Sequence, residues 1–379
     1  MKFSVKGDKL AEYLSKLNSV IPSRSPLPIL DNILFDLKGN ELKLLASDLE
    51  IFIRTTLEVE GKKDGRVAIP ARRLLDISRT LTSASLSVEV NDKNRITIKT
   101  SNGKYTIGGE PAEDFPSPEE KSDLHTINLD GHTFKRYLSK TIHAVNTDEL
   151  RRNMSGVLMD VNRNELKFVA TDGFRLAKII KKDFKKQSEI EEKIIIPLKT
   201  GQHIMKLNNN DDSNIEFDDI DLKVSFSDVE IYSKLIDDSF PSYENVIPKD
   251  NDKILKVSKI LLSDSLKRAL IFADVITKRV RLEIKSGSME IKADNPEIVS
   301  EGEETIECTF VSNSGSEDFD KSPFVIAFNA SYLLDAVSQM ETEEINISFG
   351  NSSKAAITTP SKQADNEDFI ELIMPVRVG

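Results

Sequence analysis

The sequence predicts an α+β fold built from three tandem copies of one helix-plus-antiparallel-sheet domain, and three recurrences carry that prediction. Asn40-Glu-Leu-Lys-Leu-Leu-Ala-Ser-Asp48 returns 124 positions later as Asn164-Glu-Leu-Lys-Phe-Val-Ala-Thr-Asp172, with a weaker third copy at Met289-Glu-Ile-Lys-Ala-Asp-Asn295. Val67-Ala-Ile-Pro70, running into Arg72-Arg-Leu-Leu-Asp76, is answered by Ile194-Ile-Ile-Pro197 and by Val325-Ile-Ala-Phe-Asn329, which runs into Tyr332-Leu-Leu-Asp335. Glu113-Asp-Phe-Pro-Ser117 returns as Asp238-Ser-Phe-Pro-Ser242, 125 positions on, a spacing close to one third of the 379 residues. A period this long marks whole domains rather than a solenoid of short repeats. Polar stretches after the two Phe-Pro turns, 117–123 and 248–251, divide the chain into domains 1–123, 124–251 and 252–379.

Each copy reads helix, strands, helix, strands. In the first, a helix is expected over 9–20, then strands over 33–37 and 41–46 with Gly39-Asn40 as their hairpin turn. A second helix starts after Pro70, a residue well tolerated at a helix start. It carries Leu74, Ile77 and Leu81 on one face and Arg72 and Arg79 on the other. Strands follow over 86–90, 95–100 and 104–107. In the second copy, 133–145 projects Phe134, Tyr137, Leu138, Thr141, Ile142 and Val145 onto one helix face, and Lys135, Arg136 and Lys140 onto the other. In the third, 259–273 groups Leu262, Leu266, Ala269, Leu270 and Ala273, with Lys267 and Arg268 off that face. Ile271 and Phe272 leave the stripe. Runs of strands with few helices indicate mostly antiparallel sheet.

The chain carries 52 Lys+Arg against 63 Asp+Glu, a formal net charge of −11, which at first argues against a nucleic-acid partner. That total averages two populations. The six helical windows (9–24, 71–81, 132–153, 198–207, 258–273 and 329–340) sum to +10, which leaves −21 on the rest. Lys and Arg are good helix formers, and propensity is one reading of this segregation. The other is that helix surfaces line one positive path while acidic strands and loops face outward. DNA would then be repelled from everywhere except that path.

A single cysteine, Cys308, excludes a disulfide framework and a cysteine-based metal cluster. It sits in the alternating run 306–310 and reads as a half-buried strand residue. His125, His132, His143 and His203 are scattered without ligand spacing, and read as surface or helix residues. The acidic run 208–212 with Asp218-Asp219 lacks the glycine and spacing of a calcium loop and reads as a solvated loop. Phosphate-loop, dinucleotide, zinc-protease and nucleophile-elbow motifs are absent, so neither a catalytic residue nor a metal or cofactor is expected. No stretch approaches 18 apolar residues, and the N-terminus alternates like a strand without the apolar core of a signal peptide. A cytosolic protein with no membrane partner is expected.

In order along the chain, Met1-Lys-Phe3, Arg24 with Leu27-Pro-Ile-Leu30, Ser47-Asp-Leu-Glu50, Pro70-Ala-Arg72, Ala170-Thr-Asp-Gly173 with Arg175-Leu-Ala177, Ser233-Lys-Leu235 with Phe240-Pro241, and Met374-Pro-Val-Arg377 resemble the bacterial DNA polymerase III beta subunits, the replication sliding clamps. The resemblance runs from Met1 to Arg377. It implies the DNA clamp fold, with two chains closing head to tail into a six-domain ring that has helices inside and duplex DNA through the hole. It implies a non-enzymatic processivity subunit of a DNA-directed DNA polymerase holoenzyme, in the cytoplasm at the nucleoid. Its partners would be duplex DNA, a second copy, the polymerase III catalytic subunit, the clamp loader, and other replication and repair proteins carrying clamp-binding peptides.

A tether that must not stop at any sequence contacts phosphates and avoids base edges. The helix faces offer Arg72, Arg79, Lys135, Arg136, Lys140, Lys199, Lys206, Lys267 and Arg268 for this. The resemblance adds Arg24 and the loop 147–153 with Arg151 and Arg152. Many relatives carry two tyrosines directly after the loop arginine, where this chain has Arg152 and Asn153; phosphate contact replaces base stacking there. The resemblance places the subunit interface at Ile271 and Phe272, against the strand of Tyr105 and Ile107, which period two puts on one side. Lys99 and Lys104 would meet Glu301, Glu303 and Glu304 of the second copy. It also implies a partner-peptide pocket at Met154, Thr171, Gly173, Arg175, Leu176, Pro241, Val246, Leu372, Met374 and Arg377, with Phe174 where many relatives have His. Core packing is the competing account of Leu176 and Val246. Two other functional classes compete: an enzyme using one interdomain groove, for which no motif speaks, and a protein-interaction hub without DNA, against which the charge segregation counts.

Overall fold

A computed structural model describes residues 1–379 except 23, 26, 149, 185–190, 208–211, 314, 316–317 and 378–379. Most of the expected acidic loop 208–212 and Glu149 of the loop 147–153 therefore lie outside the described residues. The three copies share one order of elements: a strand and a helix, four or five strands, a second helix, and three strands. The helices are α1 (Gly7–Asn18) and α2 (Ala71–Thr80), α3 (Gly131–Ile142) and α4 (Leu198–Lys206), and α5 (Lys259–Phe272) and α6 (Ala330–Ser338). None is long and apolar enough to cross a membrane.

The helices form where apolar residues recur every three or four positions. Leu10, Leu14 and Leu17 of α1 are fully buried, as are Leu262 and Leu266 of α5. Each such leucine contributes roughly 1.5–3 kcal/mol of burial. Ser258 caps α5, and Asn329 caps α6 by accepting from the Ser331 and Tyr332 N–H groups. The buried face of α2 differs from the expected one: Leu74, Leu75 and Ser78 turn inward, while Ile77 and Leu81 stay half-buried. Ser78 tolerates burial because its hydroxyl donates to the Leu74 and Leu75 carbonyls at 2.9 and 3.0 Å.

The chain folds as two units, each with two antiparallel sheets. The first unit comprises 1–135 and 199–235. Its five-stranded sheet ends on the strand Lys104–Gly108. Its eight-stranded sheet is seamed by Ile51–Glu58 of copy one pairing with Val229–Lys234 of copy two, Ile53 opposite Ile231. The second unit comprises 136–198 and 236–379. Its nine-stranded sheet is seamed by Arg175–Lys181 of copy two pairing with Glu367–Ile373 of copy three, Leu176 opposite Leu372. Its four-stranded sheet starts on the strand Ser300–Glu307.

One rule describes both seams: the fourth strand of a copy pairs with the last strand of the next. Of the eight strands that end these four sheets among the described residues, two lack the partner this rule assigns: Lys104–Gly108, the last strand of copy one, and Ser300–Glu307, the fourth strand of copy three. Cys308 follows that edge strand, half-buried, and burial pushes its thiol up to about 11, so little thiolate exists at neutral pH.

Candidate functional site

In the first unit Arg24, Arg72, Arg79, Lys199 and Lys206 are exposed, and in the second Arg151, Arg152, Lys267 and Arg268. Several already hold surface partners. Lys199 pairs with Asp48, Lys267 with Asp264 at 3.1 Å, and Arg268 Nη2 with Glu304 at 2.7 Å. Arg72 Nη2 donates to the Pro22 carbonyl at 3.3 Å. The open pairs of Lys267 and Arg268 are weakly held in water, so a phosphate oxygen can replace the carboxylate there, whereas the Asp48 side chain is 7% exposed and belongs to a turn.

Helix α3 corrects the expected positive face. Lys140 is 4% exposed: its Nζ donates to the Gln339 carbonyl at 2.7 Å, pairs with Glu341 at 3.2 Å and sits 4.4 Å over the Phe369 ring. Burial holds its ammonium below the usual value. Arg136 is spent on Glu341 at 2.6 Å and Glu367 at 2.7 Å, and the Tyr137 hydroxyl also donates to Glu367. Lys135 is half-buried, donating to the Leu207 carbonyl at 2.6 Å and lying 5.0 Å over the Phe226 ring. The two lysines share a physical reason, since Leu207 and Gln339 lie at the C-terminal ends of α4 and α6, where carbonyls without intrahelical partners attract cations, while Arg136 is held by carboxylates. Lys135, Arg136 and Lys140 thus brace α3 rather than stand in solvent.

This brace has a pH signature. The Arg136 guanidinium holds the Glu341 carboxyl down at about 2, and Glu367 is lowered too, against the upward push of its own burial, by Arg136 and Tyr137. Both folded values lie below the ordinary 4.5, so their stabilisation is present above that pH and is lost as pH falls toward about 2. Acid unfolding followed by circular dichroism should have a shallower pH slope in this window for Glu341→Gln. An unaltered slope would contradict the brace.

The turn from Thr171 to Arg175 organises the second seam. The Thr171 hydroxyl donates to the Arg175 carbonyl at 2.7 Å and accepts from the Gly173 N–H at 3.1 Å. The Asp172 carboxylate accepts from the Phe174 and Arg175 N–H groups at 2.8 and 3.0 Å. Gly173 takes a φ of +90°, which suits a residue without Cβ. The Arg175 guanidinium is then clamped by Asp172 at 3.1 Å, by Asp335 at 2.5 Å and by the His143 carbonyl, 4.4 Å over the Tyr332 ring. It braces the site rather than opening to solvent. Leu176 and Leu372 pair across the strands and are buried in a cluster with Leu158, Val169, Ile195 and Tyr243.

The rim above is apolar and open. Met374 is 40% exposed, Val246 55% and Phe174 58%, and the Met374 N–H donates to the Phe174 carbonyl at 2.8 Å. Met154 and Pro241 are half-buried and Arg377 is exposed. A groove of about 650 Å³ runs along Phe174, Ile276, Pro296, Tyr332, Met374 and Arg377. Ile276 and Pro296 escaped the sequence reading because nothing local marks them. Tyr332 and Asp335 were legible only as part of the third repeat.

The two edge strands hold the expected interface residues unequally. Tyr105 is 38% exposed, but Ile107 is buried, which corrects its expected place beside Tyr105 on an open face. The chain just beyond it is folded back, with Glu110 and Ala68 exchanging backbone hydrogen bonds, and this covers the strand end. Ile271 is 74% and Phe272 38% exposed. The Phe272 ring packs against Gly302, where a Cβ would sit 2.8 Å from ring carbon Cδ2. Glu304 is another correction: Arg268 and the Ser265 hydroxyl hold it within its own chain. Lys104 and Glu301 are exposed, Glu303 lies 3.6 Å from Lys292, and Lys99 lies 4.0 Å from Glu89.

Comparison with known proteins agrees along the whole length. Family models described as the N-terminal, central and C-terminal domains of the DNA polymerase III beta subunit match residues 1–119, 128–242 and 244–377. The chain is 30% identical over 382 residues to the beta sliding clamp of Pseudomonas putida and 28% to that of Escherichia coli, each covering 100% of both proteins. The crystal structure of the DNA polymerase III subunit beta from Pseudomonas aeruginosa superposes with a TM-score of 0.91 at 27% identity, covering 100% of both chains. A sliding clamp from Bartonella birtlesii bound to griselimycin superposes with a TM-score of 0.90 at 27% identity, also over 100% of both chains. With three family domains in order and full-length relatives, the chain belongs to the DNA polymerase III beta subunit family, the beta sliding clamps.

Proposed function

We infer that two copies of this chain close head to tail into a ring that encircles duplex DNA and holds the replicative polymerase on it. The observation that carries the reading is the seam rule. Applied once more, across two chains, it pairs the open edge Ser300–Glu307 of one copy with the open edge Lys104–Gly108 of the other. Two such pairings satisfy these two edges of each chain, which otherwise invite aggregation, and a heterologous contact that closes is a ring. The domains of each copy run over 1–123, 124–251 and 252–379. Arg24, Arg72, Arg79, Arg151, Arg152, Lys199, Lys206, Lys267 and Arg268 supply non-specific phosphate contacts. The acidic remainder of the surface repels DNA, so holding is topological rather than adhesive. Such a subunit does no chemistry of its own and works in the cytoplasm, at the nucleoid.

The groove along Phe174, Tyr332 and Met374, together with the exposed Val246, takes clamp-binding peptides of the polymerase catalytic subunit, the clamp loader and repair factors. The relatives crystallised with griselimycin support a ligand site of this kind. The DNA path is tested by changing Arg72, Arg79 and Lys206 together to Ala. Binding to primed DNA at a series of salt concentrations should weaken uniformly across sequences, with the slope of log K against log salt reduced by about 0.9 per lost contact. An unaltered slope would remove these residues from the path.

A further inference from the structure

We propose that the first seam carries a second peptide groove, lined by Leu49, Phe52, Leu124 and Leu222, which takes a short linear peptide through one large apolar side chain. This rests on reading the second seam as a peptide pocket.

The two seams are built alike. The Ser47 hydroxyl donates to the Ile51 carbonyl and accepts from the Leu49 N–H, both at 2.9 Å, and the Asp48 carboxylate accepts from the Glu50 and Ile51 N–H groups at 3.1 and 2.9 Å. These are the four hydrogen bonds of the turn Thr171–Arg175, displaced by 124 positions. The packing beneath is displaced equally: Leu34, Leu45 and Phe52 in the first-copy cluster take the places of Leu158, Val169 and Leu176.

The apex of the turn differs. Where the second seam has Gly173, the first has Leu49, at a φ of +81° and 44% exposed. A leucine there is disfavoured by its backbone conformation, which only a residue without Cβ adopts freely. The fold does not need it, because glycine serves the same turn at the other seam. Backbone strain retained on a surface points to a use for the side chain.

Beside Leu49 lies a groove of about 280 Å³ with Phe52, Leu222 and Tyr232 among its lining residues. One wall, the segment 117–121, is pinned by Glu120 to Arg54 at 2.8 Å and by Lys121 to Asp218 at 2.6 Å and Asp221 at 2.5 Å. The space suits one or two side chains. Basic and acidic lining residues are equal in number, four of each, so the groove offers no net attraction to phosphates or nucleic acid. Its distinguishing feature is apolar, which selects a peptide anchor.

The test titrates the full-length protein, 13C-labelled at its Leu, Val and Met methyls, with acetyl-Leu-Phe-amide and follows the methyl NMR spectrum. Saturable shifts are expected at Leu49, Leu124 and Leu222, beside a separate set at Val246, Leu372 and Met374. Leu49→Gly suits the positive φ and removes the apolar wall, so the protein stays folded. It should weaken the first set roughly fivefold or more and leave the second unaltered. Met374→Ala should do the reverse. Shifts at the second seam alone would overturn the inference and leave the peptide pocket standing. Shifts at the first seam alone would uphold this groove and remove the pocket assignment. Shifts at neither, or undiminished first-seam binding by Leu49→Gly, would overturn the inference.

Discussion

Phe272→Asp yields monomers in sedimentation velocity at concentrations where the unaltered chain is a dimer. Ile271 and Phe272 end α5, Ile271 open to solvent and Phe272 partly exposed with its ring against Gly302 of the edge strand Ser300–Glu307. In the proposed head-to-tail pairing this apolar end would be covered by the strand carrying Tyr105. A carboxylate placed there would lose its hydration without gaining a cation, and it would face the acidic Glu301 and Glu303. Central interface positions of this kind cost about 2–4 kcal/mol when disrupted, which is roughly 30- to 1,000-fold in affinity at each of the two contacts. The monomer should keep its fold, because the residue is already partly exposed. An unaltered dimer with Phe272→Asp, and again with Ile271→Asp, would remove this interface.

Met374→Ala combined with Val246→Ala abolishes most binding of a fluorescent clamp-binding peptide. Both side chains stand open at the rim, so truncating them removes anchor area, about tenfold in affinity for each residue, without opening a hole in the core. Leu176→Ala is a poorer probe. Leu176 and Leu372 lie within the buried cluster beneath the rim, and the cavity left by truncation would cost about 2–5 kcal/mol of stability, confounding any loss of binding. Equal peptide binding by the double variant and the unaltered protein would count against the pocket.

Much of the architecture is legible in the amino-acid pattern. Repeats such as Asn40–Asp48 and Asn164–Asp172 record burial patterns, and burial is what decides strands and amphipathic helices. The misfit of Ile271 and Phe272 is legible for the same reason: they break a 3.6-residue stripe, and they are exposed. What the pattern could not report is which distant groups meet a polar side chain. Lys135, Arg136 and Lys140 occupy the polar face of α3 as projected. They are nevertheless engaged, because Leu207, Gln339, Glu341 and Glu367 arrive from positions roughly 70 to 230 residues away. Ile107 alternates correctly with Tyr105, yet the chain after it folds over the strand end. Gly302 carries no local signal for the ring that rests on it. Setting aside Lys135, Arg136 and Lys140, the helical windows still carry +7 against −21 on the rest of the chain.

The central claim is topological holding, and retention on circular DNA tests it most directly. The protein is loaded by its clamp loader onto nicked circular duplex, isolated by gel filtration, and the DNA is then cut once. Encirclement predicts that the protein stays with the circle at moderate salt and leaves within minutes of linearisation, with little binding to linear duplex alone. Retention that is unaffected by linearisation, or equal binding to linear and circular DNA, would contradict it.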